Sequence, residues 1–119
     1  MGFFDELWQE RKEYTGKKVL LINERNMSSD ETWAMAFRLN GFTLIGTPTA
    51  GANGNIKSIS LPGYKITAHF SGLGWYYPDD TQMQRTGIMP DIEVYPTMDD
   101  IMMGRDEVLE ATIQYLNSN

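Results

Sequence analysis

The rhythm of apolar positions changes several times along the chain. Val19, Leu20, Leu21 and Ile22 are apolar in succession, the pattern of a central strand covered on both faces. A helical stretch follows from about residue 30 to 40 and stops at Asn40-Gly41, after which Phe42 to Ile45 reads as a second strand. Strand, helix and strand within residues 18 to 45 make a βαβ unit, with a parallel strand pair and a right-handed crossover.

Beyond a glycine-rich loop, residues 46 to 54, the runs Ile56 to Leu61 and Tyr64 to Ser71 flank Pro62-Gly63 and predict a hairpin. Residues 73 to 77, LGWYY, predict a further strand before the turn Pro78-Asp79-Asp80. Asp91 to Val94 is a short strand. Pro96-Thr97 opens a helical C-terminal stretch, with Thr97 as cap and Gly104 interrupting it. Val108, Leu109, Thr112, Ile113 and Leu116 recur at helical spacing and predict one apolar face. Residues 1 to 16 read as an N-terminal arm or short helix, and residues 17 to 119 as the folded part.

Composition narrows the function. The chain has 119 residues, 41% hydrophobic and 22% charged, which fits one α/β domain large enough to hold its own core. No stretch approaches the roughly 20 apolar residues of a membrane-spanning helix, so no membrane partner is expected. A net charge of −6, with ten scattered Lys and Arg, argues against a phosphate-binding surface and hence against nucleic acid. The absence of cysteine removes thiol nucleophiles and cysteine metal sites. The acidic pairs Asp79-Asp80 and Asp99-Asp100 lack a histidine cluster or a calcium-loop pattern, so no metal is expected. The loop GTPTAGANGN has Gly46 and Gly51 at P-loop spacing, but Ala52-Asn53 stand where the phosphate-binding Lys and Ser or Thr would be. No cofactor is expected.

The chemistry that remains lies in NMSSDE, residues 26 to 31, between the first strand and the first helix. Ser28 and Glu31 match a capping box, in which the hydroxyl accepts the third amide and the carboxylate reaches back. The same corner suits a nucleophile, because free amides and the positive end of a helix would stabilise an oxyanion formed beside a serine. The spacing leaves both readings open. A nucleophilic serine needs an activating base. The single histidine, His69, shares a strand face with Lys65, Thr67 and Ser71, which reads as a solvated or structural position before it reads as a base for Ser28. Trp75-Tyr76-Tyr77 reads as core or subunit contact, or as a groove for substrate side chains.

Two blocks, KVLLINERNMSSDETWAMAFRLNGFTLIGTPTAGANGN and QRTGIMPDIEVYPTMDDIMMGRDEVLEATIQYL, together resemble the C-terminal half of the catalytic domain of carboxyl-terminal processing (tail-specific) serine peptidases. The resemblance covers residues 17 to 117. It implies a Clp-protease/crotonase-like α/β fold of ββα units, present here as an incomplete C-terminal portion. In that family the nucleophile lies three residues before a glutamate at the helix start, which places it at Ser28 ahead of Glu31, with the Ser29 amide in the oxyanion hole.

The chain also departs from the family. Where many members carry a lysine base in a Gly-Lys-Gly sequence, this chain has Ala52. A tricorn-like branch without that lysine is the nearer likeness; there a glutamate three residues before the glycine of the "G-[IV]-x-PD" block supports a histidine, and Gln84 holds that position before Gly87. An amide orients an imidazole without offsetting its charge.

The expectation is a serine-peptidase-like portion of a longer protein, acting on peptide or protein substrates through an acyl-enzyme. It should be inactive alone and completed by a missing N-terminal part. The alternative is a non-catalytic peptide-binding or assembly module. Homo-oligomers are possible through exposed strand edges, and the family resemblance implies an extracytoplasmic (periplasmic or secreted) setting.

Overall fold

A computed structural model describes residues 14–63 and 65–118. Its elements are β1 (Val19–Ile22), α1 (Ser29–Leu39), β2 (Thr43–Gly46), β3 (Ile56–Ser60), β4 (Thr67–Ser71), β5 (Ile92–Glu93), α2 (Met98–Met102) and α3 (Glu107–Asn117). The arm expected over residues 1 to 16 falls almost wholly outside the described residues, as does Tyr64, the expected start of β4. No helix among the described residues is long and apolar enough to cross a membrane.

The βαβ unit forms as its pattern predicts. β1 and β2 run parallel in the register Leu20 to Leu44 and Ile22 to Gly46, and β5 adds in parallel to the other side of β2. The order β1-β2-β5 corrects one expectation: β2 is the central strand, and β1 is an edge among the described residues. Leu44 and Ile45 are both fully buried, whereas Leu21 of β1 is 43% exposed.

Alternation assigns the two faces. Ile22 and Leu44 pack with Ala34 of α1 and with Met83 and Ile88. On the opposite face the Thr43 hydroxyl pairs with Tyr115 of α3 at 2.8 Å. The helices therefore cover opposite faces of the sheet. Trp33 and Phe37 of α1 remain exposed beside the free edge of β1.

Asp91 fixes the third strand. Its backbone N–H donates to the Leu44 carbonyl at 2.7 Å, and its carboxylate accepts from the Leu44 N–H at 2.7 Å and from Arg38 of α1 at 3.0 Å. One side chain thereby locks helix, central strand and β5 together.

The predicted hairpin is present as the antiparallel pair β3-β4, a sheet of its own, mostly exposed. LGWYY is not a strand: it makes one isolated bridge, Tyr76 to Gln82, because Gly72 and Gly74 break the run and Trp75 and Tyr77 turn toward the core. The last helix also differs from its predicted face. Thr112 is buried, and Val108, Ala111 and Tyr115 are half-buried at the same spacing, while Leu109, Ile113 and Leu116 are exposed. The seam against β2 thus lies one residue round from the row of longest apolar side chains.

Thr97 caps α2, accepting from the Asp100 amide at 3.2 Å, and Asp106 caps α3, accepting from the Leu109 amide at 2.9 Å. Between the two helices Arg105 bonds Glu110 at 2.8 Å and Asp100 at 2.9 Å. The Arg105 hydrogen bond holds the Glu110 carboxyl below the usual glutamate range. A depressed folded value means that the contribution of this contact is complete above the ordinary glutamate range and is lost as pH falls through the lower folded value. Replacing Arg105 with Met is expected to return the Glu110 titration toward the ordinary glutamate value in a carboxyl-resolved NMR titration.

Candidate active site

The corner between β1 and α1 is built on an unusual backbone. Ser28 has φ 56° and ψ −117°, a conformation rare for any residue but glycine. Such strain persists only where surrounding contacts over-determine it, and it gathers at functional sites. Here the contacts come from Glu31, whose carboxylate reaches back to the Ser28 backbone. The Ser28 N–H donates to Glu31 Oε2 at 3.2 Å, and the Glu31 amide is taken by the Ser28 carbonyl at 3.1 Å. The Ser28 side chain is exposed. Backbone and glutamate hold the corner, and among the described residues the hydroxyl makes no capping hydrogen bond.

The neighbouring Ser29 is also exposed, and among the described residues no backbone acceptor meets its N–H. That amide is one of the free donors at the start of an 11-residue helix, where the helix dipole favours negative charge. Ser28 and Ser29 line an open cleft of about 280 Å³ together with Thr32, Asn53, Gly54, Asn55, Leu73 and Trp75.

Glu31 does more than its spacing disclosed. It is fully buried, and its carboxylate accepts from four donors: the Ser28 N–H, the Thr49 hydroxyl at 2.6 Å, the Gly51 N–H at 2.7 Å and the Ala52 N–H at 3.0 Å. Thr49 Oγ1 in turn accepts from the Ile88 N–H at 2.8 Å. One carboxylate therefore ties the serine corner to the glycine-rich loop and, through Thr49, to the GIMPD segment. Sequence reasoning assigned Glu31 only the reach-back of a cap. The signal available was Thr49 and Gly51 in a loop rich in free amides.

Gln84, the expected support for an imidazole, lies close to this cleft with its amide nitrogen engaged by the loops around it. Its side-chain amide donates to the backbone carbonyls of Asn53 and, at 2.8 Å, of Leu73. It works as a strut between the two loops that wall the cleft, a role its position in the sequence did not disclose. Ala52 is exposed and contributes its amide to Glu31.

His69 does not join Ser28. It lies opposite Ser58 in the hairpin, and its Nδ1 pairs with the Ser58 hydroxyl at 2.8 Å. Among the described residues no histidine or lysine lines the cleft at Ser28. Glu24, in the loop leading to the corner, is held below the usual carboxylate range by a backbone hydrogen bond and then by the Thr47 hydroxyl at 3.0 Å. Among the described residues no group of three or more His, Cys, Asp or Glu is arranged to hold a metal ion.

The family model of peptidase family S41 matches residues 4–94, more than half of the chain. This chain belongs to peptidase family S41. A crystal structure of a protein from Parabacteroides merdae, provisionally described as a peptidase, is similar at 29% identity and a TM-score of 0.82, covering 92% of this chain and 35% of that one. Tricorn protease is similar in fold at 23% identity and a TM-score of 0.73, covering 85% of this chain and 10% of that one. Mature CPAF complexed with lactacystin follows at 21% identity and a TM-score of 0.67, covering 92% and 20%. No curated protein matches the chain significantly. The S41 chain thus spans about a third or less of these solved relatives, and it has part of their Clp-protease/crotonase-type α/β core.

Proposed function

We propose that this S41 domain carries the nucleophile corner of a serine peptidase whose general base comes from another part of a longer protein. The observation that supports it is Ser28 itself: a strained, exposed serine at a helix N-terminus with an unbonded hydroxyl beside an open cleft. In this reading the Ser28 Oγ attacks the scissile carbonyl of a peptide or protein. A base takes the hydroxyl proton, and the Ser29 N–H donates to the oxyanion of the tetrahedral intermediate. Collapse expels the amine half of the substrate, which carries off the proton held by the base; water then cleaves the acyl-enzyme. Glu31 acts as a positioning residue, fixing the Ser28 backbone through its N–H. Gln84 Nε2 ties together the loops that wall the cleft.

The edge of β1 that no described strand occupies, with Leu21, Trp33 and Phe37 exposed beside it, fits a surface completed by the remainder of such a protein. Ala52 in place of a lysine, and a cleft that no histidine or lysine lines among the described residues, favour the second reading, a binding or assembly module without catalysis.

Intact-mass analysis after exposure to a fluorophosphonate separates the two. The full-length protein is expected to take one label, lost in Ser28→Ala. The 119-residue chain, lacking its base, is expected to react about 10²–10⁴-fold more slowly. A full-length protein that folds but takes no label on Ser28 would establish the non-catalytic reading.

A further inference from the structure

On the face of the sheet turned toward α3, away from the cleft at Ser28, lies a larger hollow of about 930 Å³. It opens at the carboxyl ends of all three parallel strands: Ile22 closes β1, Thr47 and Pro48 follow β2, and Tyr95 and Pro96 follow β5. The crevice beyond such ends is where open α/β sheets ordinarily take ligands. Alternation with Ile22, which packs toward α1, turns Leu21 to this side, and Ile101 of α2 and Val108 of α3 form the far wall. The volume falls within the roughly 300–1,000 Å³ of small-molecule pockets. No residue lines both this hollow and the Ser28 cleft.

The charges around it are of one sign. Glu24, Asp106 and Glu107 stand at the hollow, and among the described residues no Lys or Arg forms an ion pair with any of them. A backbone hydrogen bond, and then the Thr47 hydroxyl donating at 3.0 Å, hold Glu24 below the usual carboxylate range, so it is ionised at neutral pH. Asp106 accepts from the Leu109 N–H at 2.9 Å, and Glu107 from the Thr97 N–H. The lining cation, Arg105, is shared between Asp100 and Glu110. Apolar walls thus meet an unbalanced negative charge, with the exposed ring of Tyr95 beside it, a group that attracts cations.

We infer that this hollow is a second ligand site, separate from the serine corner, for a small organic ammonium ion, its charge held at Glu24 and its apolar body against Leu21, Pro48, Ile101 and Val108. A carboxylate ligand would face like charges there, and an uncharged one would forgo their attraction. The site does not depend on the peptidase reading, since neither Ser28 nor Ser29 takes part in it.

The test is titration of the 119-residue chain with phenylbutylammonium, followed by backbone amide NMR. Phenylbutanol and phenylpentanoate keep the apolar body and change the charge. The ammonium is expected to shift the Glu24, Thr47 and Val108 signals saturably while those of Ser29 and Asn55 stay in place. It should bind about 10-fold more tightly than the alcohol, and the carboxylate more weakly than either. Glu24→Gln retains an acceptor for Thr47 and removes the charge, and it should cut the preference for the ammonium to about 3-fold while the far-ultraviolet circular dichroism remains that of the parent. Three probes that bind alike, a preference for the carboxylate, or shifts gathered at the Ser28 cleft overturn the inference, as does an undiminished preference in Glu24→Gln. Calorimetry on the full-length protein must give the same order of probes. Loss of binding there would mean that the rest of the protein fills the hollow, and the inference falls.

Discussion

Glu31→Ala is expected to cost about 3–5 kcal/mol of folding free energy and to unfold the serine corner first. The magnitude follows from what the substitution leaves behind. Removing the carboxylate orphans the Gly51 N–H and the Thr49 hydroxyl, which point into a fully buried site, together with the Ala52 and Ser28 N–H groups. Each buried donor left unpaired costs on the order of 1–3 kcal/mol, less where water enters. The exposed position of Ala52 and Ser28 keeps the sum below four full penalties. For a domain of this size the thermal midpoint should fall by about 12–20 °C.

Glu31→Gln sharpens the attribution. An amide keeps one accepting oxygen and turns the other atom into a donor, so one of the two donor pairs, Thr49 with Gly51 or Ser28 with Ala52, is met by a like group. The loss should be about half that of Ala. Calorimetry measures both variants. A Glu31→Ala midpoint within a few degrees of the parent would mean that the loop and corner hold without the carboxylate, and Glu31 would lose its positioning role.

These expectations show where the sequence was legible. The run Val19 to Ile22, the Asn40-Gly41 stop and Phe42 to Ile45 placed the βαβ unit correctly, because each element carried its own period and its own terminator. The same run leaves β1 at an edge among the described strands, with β2 at the centre. Successive apolar residues report only that both faces can be covered, and Leu21 lies exposed beside an edge that no described strand occupies. LGWYY offered aromatic residues of high strand propensity, but propensity here lost to Gly72 and Gly74 and to the packing of Trp75 and Tyr77 against the core.

At the site, the Ser28 corner was visible because Ser28 and Glu31 stand three residues apart at a helix start. What stayed hidden was long-range: Glu31 reaches residues 18 and 20 positions away, and Gln84 is bonded to carbonyls at Asn53 and Leu73. No local period encodes such pairings. His69, the one histidine, illustrates the same limit in reverse, since its strand face was read correctly but only the register of the hairpin shows that Ser58 claims it.

Gly87→Ala should be the other severe substitution, and a comparison with Gly104→Ala divides its cost into two causes. Both glycines have positive φ, 75° and 70°, so each alanine incurs the left-handed penalty of about 1–2 kcal/mol. Around Gly104 an added Cβ meets nothing within 4 Å. At Gly87 it would press on the Thr49 carbonyl oxygen and lie 2.9 Å from the carbonyl carbon and 3.1 Å from Oγ1. That neighbour is mainly backbone and cannot swing aside, so either the GIMPD segment or the glycine-rich loop must move. Movement of Thr49 breaks its bonds to Glu31 and from Ile88, adding the loss of buried pairs to the steric cost. Gly87→Ala is therefore expected to destabilise by about 3–5 kcal/mol, against about 1 for Gly104→Ala. Chemical denaturation of the two variants measures the difference. In the full-length protein Gly87→Ala should also slow fluorophosphonate labelling of Ser28, because the loop it displaces is the one Glu31 holds against the corner, whereas Gly104→Ala should leave labelling unchanged. Equal losses of stability in the two variants would show that the Thr49 to Gly87 approach relaxes freely, and the coupling of the glycine-rich loop to the serine corner would then rest on Glu31 alone.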